Sequence, residues 1–428
     1  MNHSTQNSDL NVFAFWKAQK SPWKVTVTRV SLERLGYKMI LPYLSLYVVL
    51  MGATKTQLGL VTSLGLVVAG CMGPFLGQHI DRHGPKKMYI FGILVLIAGY
   101  IAFAQAPVWQ IAALGMFLHQ MGQTLSGQSC SNICGNCLAN CDRAKGMLVC
   151  ETFAAGVLGM IGPMISAWVL LRFVKVVGTP TDAEQIRPLF YITLFFTVVS
   201  LFIIVFKLDV KTWGTRQKKR PNIFKDGLAI LKAERNCIKW LGAAAVGKLP
   251  TALVIPYLQL YAAEVKGAST ATLAAMTTAA ALTSVLCGYF AGVLSDRLGR
   301  KKVLFTVVSL YAIGLLLLIT CNSPLILILV GALTGFQEIG ATISASIQHE
   351  LVPNRVRGRW SGVNSFTCSM VSAGMAAISG IIYEGLGPHW VFLIYIGLEL
   401  LIRLPLMCSI PETLHHKVDE SKFDALDA

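Results

Sequence analysis

Charge is what this sequence has least of. Only 14% of its 428 residues are Asp, Glu, Lys or Arg, against roughly a quarter in soluble proteins. A chain so poor in charge, and 54% hydrophobic, does not cover a water-facing surface, which excludes a soluble enzyme. Acid is scarcer than base: 21 Asp and Glu against 37 Lys and Arg, a net charge of +16. That surplus would suit nucleic acid, but the basic residues lie in the polar stretches between apolar runs, where membrane orientation places them. The sequence carries no phosphate-cradling glycine loop, no nucleophile constellation and no inward-facing histidine pairs for a membrane haem. Neither an ATPase nor an enzyme is expected, and no cofactor. No cleavable signal peptide is apparent. The 11 cysteines are an odd number and fall mostly in apolar runs, which excludes a secreted disulfide framework.

What is present is apolar length. Twelve runs, near 25–51, 57–77, 88–106, 108–139, 147–173, 188–207, 237–263, 270–292, 303–321, 324–350, 360–384 and 388–409, each reach the about 20 residues that cross a bilayer. The expected fold is an all-α polytopic membrane protein of 12 helices in two six-helix bundles, 25–207 and 237–409. A basic linker, 208–236, joins them, and a tail follows, 410–428. The N-terminal arm, 1–24, with Phe13, Phe15, Trp16 and Trp23 among lysines, reads as an interfacial helix. Loops after even-numbered runs hold 20 Lys and Arg, and loops after odd-numbered runs, counting Arg172 at the very end of the fifth run, hold five (Lys55, Arg172, Lys175, Arg187 and Lys266). The asymmetry places both termini in the cytosol.

The two bundles are copies. Gly77-Gln-His-Ile-Asp81-Arg82-His-Gly84-Pro-Lys86-Lys87 returns 215 residues on as Gly292-Val-Leu-Ser-Asp296-Arg297-Leu-Gly299-Arg300-Lys301-Lys302, and Pro42-Tyr-Leu-Ser-Leu-Tyr47 returns at 214 as Pro256-Tyr-Leu-Gln-Leu-Tyr261. Two unrelated motifs at nearly one offset mark an internal duplication, the way secondary transporters are built. In both long copies a Gly is expected to end an apolar helix, with an Asp four residues on. The motif pair resembles the loop signature of the major facilitator superfamily, with Pro85 standing where a basic residue is usual. That resemblance implies a pseudo-symmetric two-bundle fold with a central cavity and alternating access. Asp81 and Asp296 can cap a neighbouring helix or pair with a basic residue across the bundle, which gives gating roles to Gly77, Asp81, Arg82, Gly292, Asp296 and Arg297; the alternative is topological charge alone. The fifth-span pattern of its antiporters is only partly met by Gly159-Met-Ile-Gly162-Pro163, and Leu118-His119 stand where a fourth-span arginine is usual, so a drug–proton antiporter fits less well.

An ionisable residue inside a span costs roughly 2.5–3.5 kcal/mol on insertion scales and marks a cavity or a partner. The first run carries Arg29, Glu33, Arg34 and Lys38. Arg29 and Glu33 have the spacing of a helical ion pair. Arg34 lies eight residues before Pro42 and Lys248 eight before Pro256, so the duplication puts two cations at equivalent positions. Facing each other, they make an anion site, with Tyr37 one turn from Arg34; the alternative is that Arg34 pairs with Glu33 or another carboxylate and Lys248 snorkels. Their placement resembles the paired basic residues of organophosphate–phosphate antiporters, although Lys248 replaces an arginine and loses bidentate grip. Glu33-Arg34 resembles the acidic–basic run of proton-coupled peptide transporters. Glu33 and Glu338 are the candidates for coupling to protons or ions. Glu338 has no basic neighbour in sequence, whereas Glu399 has Arg403 four residues on and reads as a structural pair.

The fourth run holds Cys130, Cys134, Cys137 and Cys141, spaced 4, 3 and 4 on one helix face and extended backward by Ser126, Gln123 and His119. Thiolate and imidazole bind transition metals. The same small side chains also serve plain packing between membrane helices, and packing is the weightier expectation.

The run Arg29-Val-Ser-Leu-Glu33-Arg34-Leu-Gly-Tyr37-Lys38-Met-Ile-Leu-Pro42 and the chain length resemble the magnetosome-associated permeases of magnetic bacteria. That resemblance implies iron, or an anionic iron chelate, as substrate, and an inner membrane or a vesicle derived from it. Two other functions stay open. One is a proton-coupled permease or antiporter for a small organic anion or phosphate ester. The other is a transport-inactive scaffold or sensor recruiting partners through 208–236 and the tail from Glu412, with His415-His416. The expected partners are a small-molecule or ion substrate and the lipid bilayer, and no nucleic acid.

Overall fold

The computed structural model describes residues 16–17, 19–83, 85–137, 155–176, 178–209, 223–353 and 356–413. Among them every regular element is helical. Numbering the membrane spans in chain order, span 1 is Ser21–Ile40 with Leu44–Leu50, span 2 Lys55–His83, span 3 Pro85–Ala104 and span 4 Trp109–Cys137. Span 5 is Ala155–Val169 closed by a π turn, Leu170–Val174, and span 6 is Ala183–Lys207. Span 7 runs through Arg235–Lys248, Pro250–Leu253 and Ile255–Glu264, span 8 is Thr270–Leu298 and span 9 Arg300–Thr320. Span 10 is Pro324–Thr334 with Phe336–Glu350, span 11 Arg357–Gly385, and span 12 Trp390–Leu398, Glu399–Arg403 and Leu404–Ser409. Ten of these are long and apolar enough to cross a membrane. Spans 1 and 4 fall outside that set on composition: span 1 carries four charges in mid-helix, and span 4 is rich in Gln, Ser, Asn and Cys.

Local chemistry sets the boundaries. Pro85 and Pro324 open spans 3 and 10, where a missing N–H costs nothing. Pro85, which departs from the loop signature, and its repeat partner Arg300 are each the first residue of their helix. Asp182 caps span 6 by accepting from Glu184 N at 3.0 Å, and Ser269 caps span 8 by accepting from Thr272 N at 3.2 Å. Span 1 breaks at Leu41–Tyr43 around Pro42, and span 7 breaks before Pro250 and again before Pro256. Proline removes a helical hydrogen bond, so the duplicated proline kinks both copies at the same depth.

Three sequence expectations change here. Gly77 and Gly292 do not end their helices, since span 2 runs on to His83 and span 8 to Leu298. Span 8 turns at Gly299, whose φ of +106° only glycine adopts without strain; its repeat partner Gly84 lies outside the described residues. The arm does not extend to residue 24: Trp23 and Lys24 already belong to span 1, and Trp23 is fully buried beside Trp16, Tyr89 and Ile93. Phe13 and Phe15 lie outside the described residues. The linker region contains a helix, Ile223–Ala233, whose Gly227 packs on Val363 of span 11 and whose Ile230 is buried.

Lipid tails are as apolar as leucine, so membrane helices associate through close packing and hydrogen bonds. Spans 3 and 4 interlock through Gly92 with Gly122 and Gly99 with Gly115; a Cβ on Gly122 would sit 2.9 Å from the Gly92 carbonyl oxygen. Between the halves, span 2 packs on span 11 and span 5 on span 8. At the end of the bundle away from the linker, here the distal end, the halves are bonded. Tyr43 donates to Thr270 O (3.1 Å), Thr270 N to Gly178 O (2.8 Å) and Thr179 Oγ1 to Ala268 O (2.8 Å). Lys55 pairs with Glu264 at 3.2 Å. Glu384, at the end of span 11, accepts from Lys55 N (2.7 Å) and Thr56 Oγ1 (2.5 Å), capping span 2 across the halves. Gly380 allows this approach: a Cβ there would lie 2.3 Å from Lys55 O.

Candidate functional site

Behind the distal seal, spans 1, 2, 4 and 7 enclose a cavity of about 140 Å³. Its wall contains matching positions of the two repeats, Tyr37 with Thr251 and Leu41 with Ile255. Arg34 precedes Tyr37 by three residues and Lys248 precedes Thr251 by three, so each cation lies on its cavity-lining helix face, one turn nearer the linker end. On span 7 the turn is carried across the helix break by Thr251 Oγ1 donating to Lys248 O at 2.7 Å. Both cations are exposed. Among the described residues neither side chain makes a hydrogen bond or ion pair. The charge of Arg34 acts on Tyr37, His119 and Glu338.

Each half buries one ion pair beside its cation. Arg29 donates to Glu33 at 2.5 Å, with side chains 2% and 5% exposed. Arg29 also lies 4.8 Å over the Tyr89 ring, and Gln123 donates to Glu33. This satisfies Glu33 inside the N-terminal half and leaves Arg34 unpaired, contrary to the alternative that Arg34 takes Glu33. In the C-terminal half Arg403 donates to Glu399 at 2.7 Å and to Ser344 at 3.1 Å across the π turn of span 12. That pair is structural, and Gly247, next to Lys248, rests directly against the Arg403 guanidinium.

Glu338 is differently placed. It has no basic neighbour in sequence, but Lys38 of span 1 reaches it from the other half at 3.3 Å, and Ser284 of span 8 donates to its other oxygen at 2.8 Å. Lys38 is the partner of Glu338 that spacing alone missed. Gly159 and Gly162 of span 5 make room for it: a Cβ on Gly162 would meet Lys38 Cβ at 3.2 Å and Leu35 O at 2.7 Å. The partial fifth-span pattern is therefore the seat of this lysine.

The signature residues divide. The backbone of Gly77, Asp81 and Arg82 continues span 2, and their side chains lie outside the described residues. In the second copy Asp296 pairs with Arg300 at 3.3 Å, and Arg300 with Glu350 at 2.7 Å. Glu412 caps span 9 by accepting from Arg300 N and Lys301 N at 3.0 and 3.2 Å. These bonds all stay within the C-terminal half. Arg297 is exposed on its flank and Gly292 has open space around it.

The described residues of the span-four stripe do not come together as a metal site. Among the described residues no group of three or more His, Cys, Asp and Glu converges to hold an ion. Cys137 is buried in an apolar cluster with Trp23 and Ile133, and Cys130 packs against it. The Cys134 side chain and all of Cys141 lie outside the described residues. His119 is eleven residues from Cys130, about 16 Å along the helix. It stacks on Tyr37 at 4.9 Å in the cavity wall and lies tilted against Tyr100 at 5.6 Å. Its role there is aromatic packing, with Nδ1 lacking a partner among the described residues.

The model of the Major Facilitator Superfamily matches residues 30–248 and again 240–425. The multidrug resistance protein MdtG of Escherichia coli is 24% identical over 383 residues, covering 85% of this chain and 88% of its own. Among solved structures, the nucleoside transporter NupG superposes with a TM-score of 0.70 at 15% identity, over 90% of this chain and 99% of its own. A D-xylose–proton symporter gives 0.70 at 14% identity, over 93% and 99%. A POT family transporter in complex with 5-aminolevulinic acid gives 0.65 at 14%, over 91% and 96%.

Proposed function

The chain belongs to the Major Facilitator Superfamily, and we propose that it is a secondary transporter for a small organic anion gripped between Arg34 and Lys248. The observation that supports this most directly is the pair of unpaired cations on equivalent cavity-lining faces of the two repeats. A carboxylate or phosphate between them would give both cations the ion pair that neither makes among the described residues, and one site reached from two halves is what alternating access requires. Glu338 and Lys38 are the coupling element. Their ion pair joins the halves, and a proton on Glu338 removes the charge that holds Lys38. Glu33, occupied by Arg29 and Gln123, has no part in coupling.

The excess of Lys and Arg in the linker-end loops supports a cytosolic linker end; on that reading the bonded distal end faces outward and the cavity belongs to an outward-closed state. A ferric chelate enters this scheme as one more polycarboxylate anion, held by Arg34 and Lys248 without the span-four cysteines. The multidrug name of the relative MdtG favours a second cargo class, apolar or cationic drugs; two unpaired cations at the cavity oppose a cationic one.

The test is flux into proteoliposomes under an imposed pH gradient, using labelled mono- and dicarboxylates, phosphate esters and ferric citrate. One anion class should enter only with the protein, and Arg34→Ala and Lys248→Ala should each lower uptake about tenfold or more, the loss of one charge-assisted hydrogen bond. Undiminished anion uptake by the folded double variant would refute the site. Uptake of cationic dyes alone would favour drug export, and no flux of any kind a scaffold.

A further inference from the structure

A second and larger space, a groove of about 540 Å³, lies outside the transport site on the flank of the C-terminal half. Span 8 supplies Cys287, Phe290, Leu294 and Arg297, and span 9 supplies Lys302 and Thr306. No described residue of the N-terminal half lines it. Val285 explains why: it packs on Gly156 of span 5, and at 3.6 residues per turn the groove positions of span 8 fall on roughly the opposite face. The groove therefore opens sideways, to the hydrocarbon. Phe290 is 71% exposed in it and Leu294 46%.

Depth and charge identify the occupant. From Cys287 to Leu298 the helix rises about 16 Å, half of a hydrocarbon core of about 30 Å. The trench is thus as long as one leaflet is deep. At its linker end stand Arg297 and Lys302, both exposed, whose side chains make no hydrogen bond or ion pair among the described residues. The described acids nearby are engaged elsewhere: Asp296 and Glu350 with Arg300, and Glu412 with the backbone N–H groups that open span 9. Two cations at headgroup level above an apolar trench of one leaflet's depth are complementary to one kind of molecule.

We propose that this groove binds an anionic phospholipid of the linker-side leaflet, with an acyl chain along Phe290 and Leu294 and the phosphate between Arg297 and Lys302. The experiment uses the full-length protein in phosphatidylcholine nanodiscs containing a minor fraction of spin-labelled phosphatidylglycerol or, in parallel, spin-labelled phosphatidylcholine. The motionally restricted lipid should favour phosphatidylglycerol, by roughly five-fold for each cation. Arg297→Gln with Lys302→Gln should abolish that preference while the melting temperature in pure phosphatidylcholine discs is unchanged. Leu294→Trp, which fills the trench and keeps both cations, should release one restricted lipid of either type. If the double variant does not fold, Lys302→Gln alone should reduce the preference about five-fold. A wild-type protein with no preference, or a folded double variant that keeps it, overturns the proposal.

Discussion

Replacing Glu338 by glutamine should bias the transporter away from the distally closed state. The ion pair to Lys38 is 3.3 Å long. Coulomb's law gives about 5 kcal/mol at that distance for an effective dielectric near 20, and about 1.3 kcal/mol in bulk water. Glu338 is 59% exposed and Lys38 17%, so water screens the pair and the lower part of the range applies, about 1–2 kcal/mol. If the pair exists only while the distal end is closed, its loss changes the closed-to-open ratio by about 5- to 30-fold. Distances between labels on the loop joining spans 1 and 2 and the loop joining spans 7 and 8 report that ratio; the labels should be attached by click chemistry, since 11 native cysteines compete for thiol reagents. Acidification should shift the wild-type protein in the same direction, because protonation removes the Glu338 charge, and should leave Glu338→Gln unmoved. The variant should lose proton-driven accumulation and keep substrate exchange. An unchanged ratio, or a pH response that survives in the variant, would refute the coupling role of the pair.

Gly380→Ala should open the distal end by a different route: its Cβ would lie 2.3 Å from Lys55 O, an overpacking of about 1–3 kcal/mol against the closed state, read by the same distances. Arg29→Met should strand the buried Glu33 carboxylate and cost about 3–5 kcal/mol, whereas adding Glu33→Leu should restore most of it; thermal unfolding in detergent separates the two. Changing Cys130, Cys134, Cys137 and Cys141 together to alanine should leave anion flux intact, and loss of transport with normal folding would return a metal role to the stripe.

The duplication was legible because it is written as spacing. Pro42 and Pro256 break their helices at one depth, and from them Arg34 and Lys248 follow as equivalents on cavity-facing turns. Periodicity also located the buried pairs Arg29–Glu33 and Glu399–Arg403, since residues four apart share a helix face. The Lys38–Glu338 bridge was not legible, because its partners are 300 residues apart and neither helix pattern refers to the other. Gly292 was misread as a helix end: glycine costs little inside a tightly packed membrane helix, and the residue that turns the chain is Gly299, seven positions later. The loop signature hides its own wiring for the same reason. Glu412, which caps span 9, comes from beyond span 12, and no local rule links the two.

The distal seal also ties the transport cycle to water activity. Its bonds are largely polar groups answering one another: the first N–H and hydroxyl of span 2 on Glu384, the Thr270 N–H on Gly178, the Thr179 hydroxyl on Ala268. When the halves part, each of these must be hydrated in turn, so the opening step takes up solvent. Solutes that are excluded from protein surfaces oppose such hydration. Excluded osmolytes are therefore expected to favour the distally closed state, and dilution to release it.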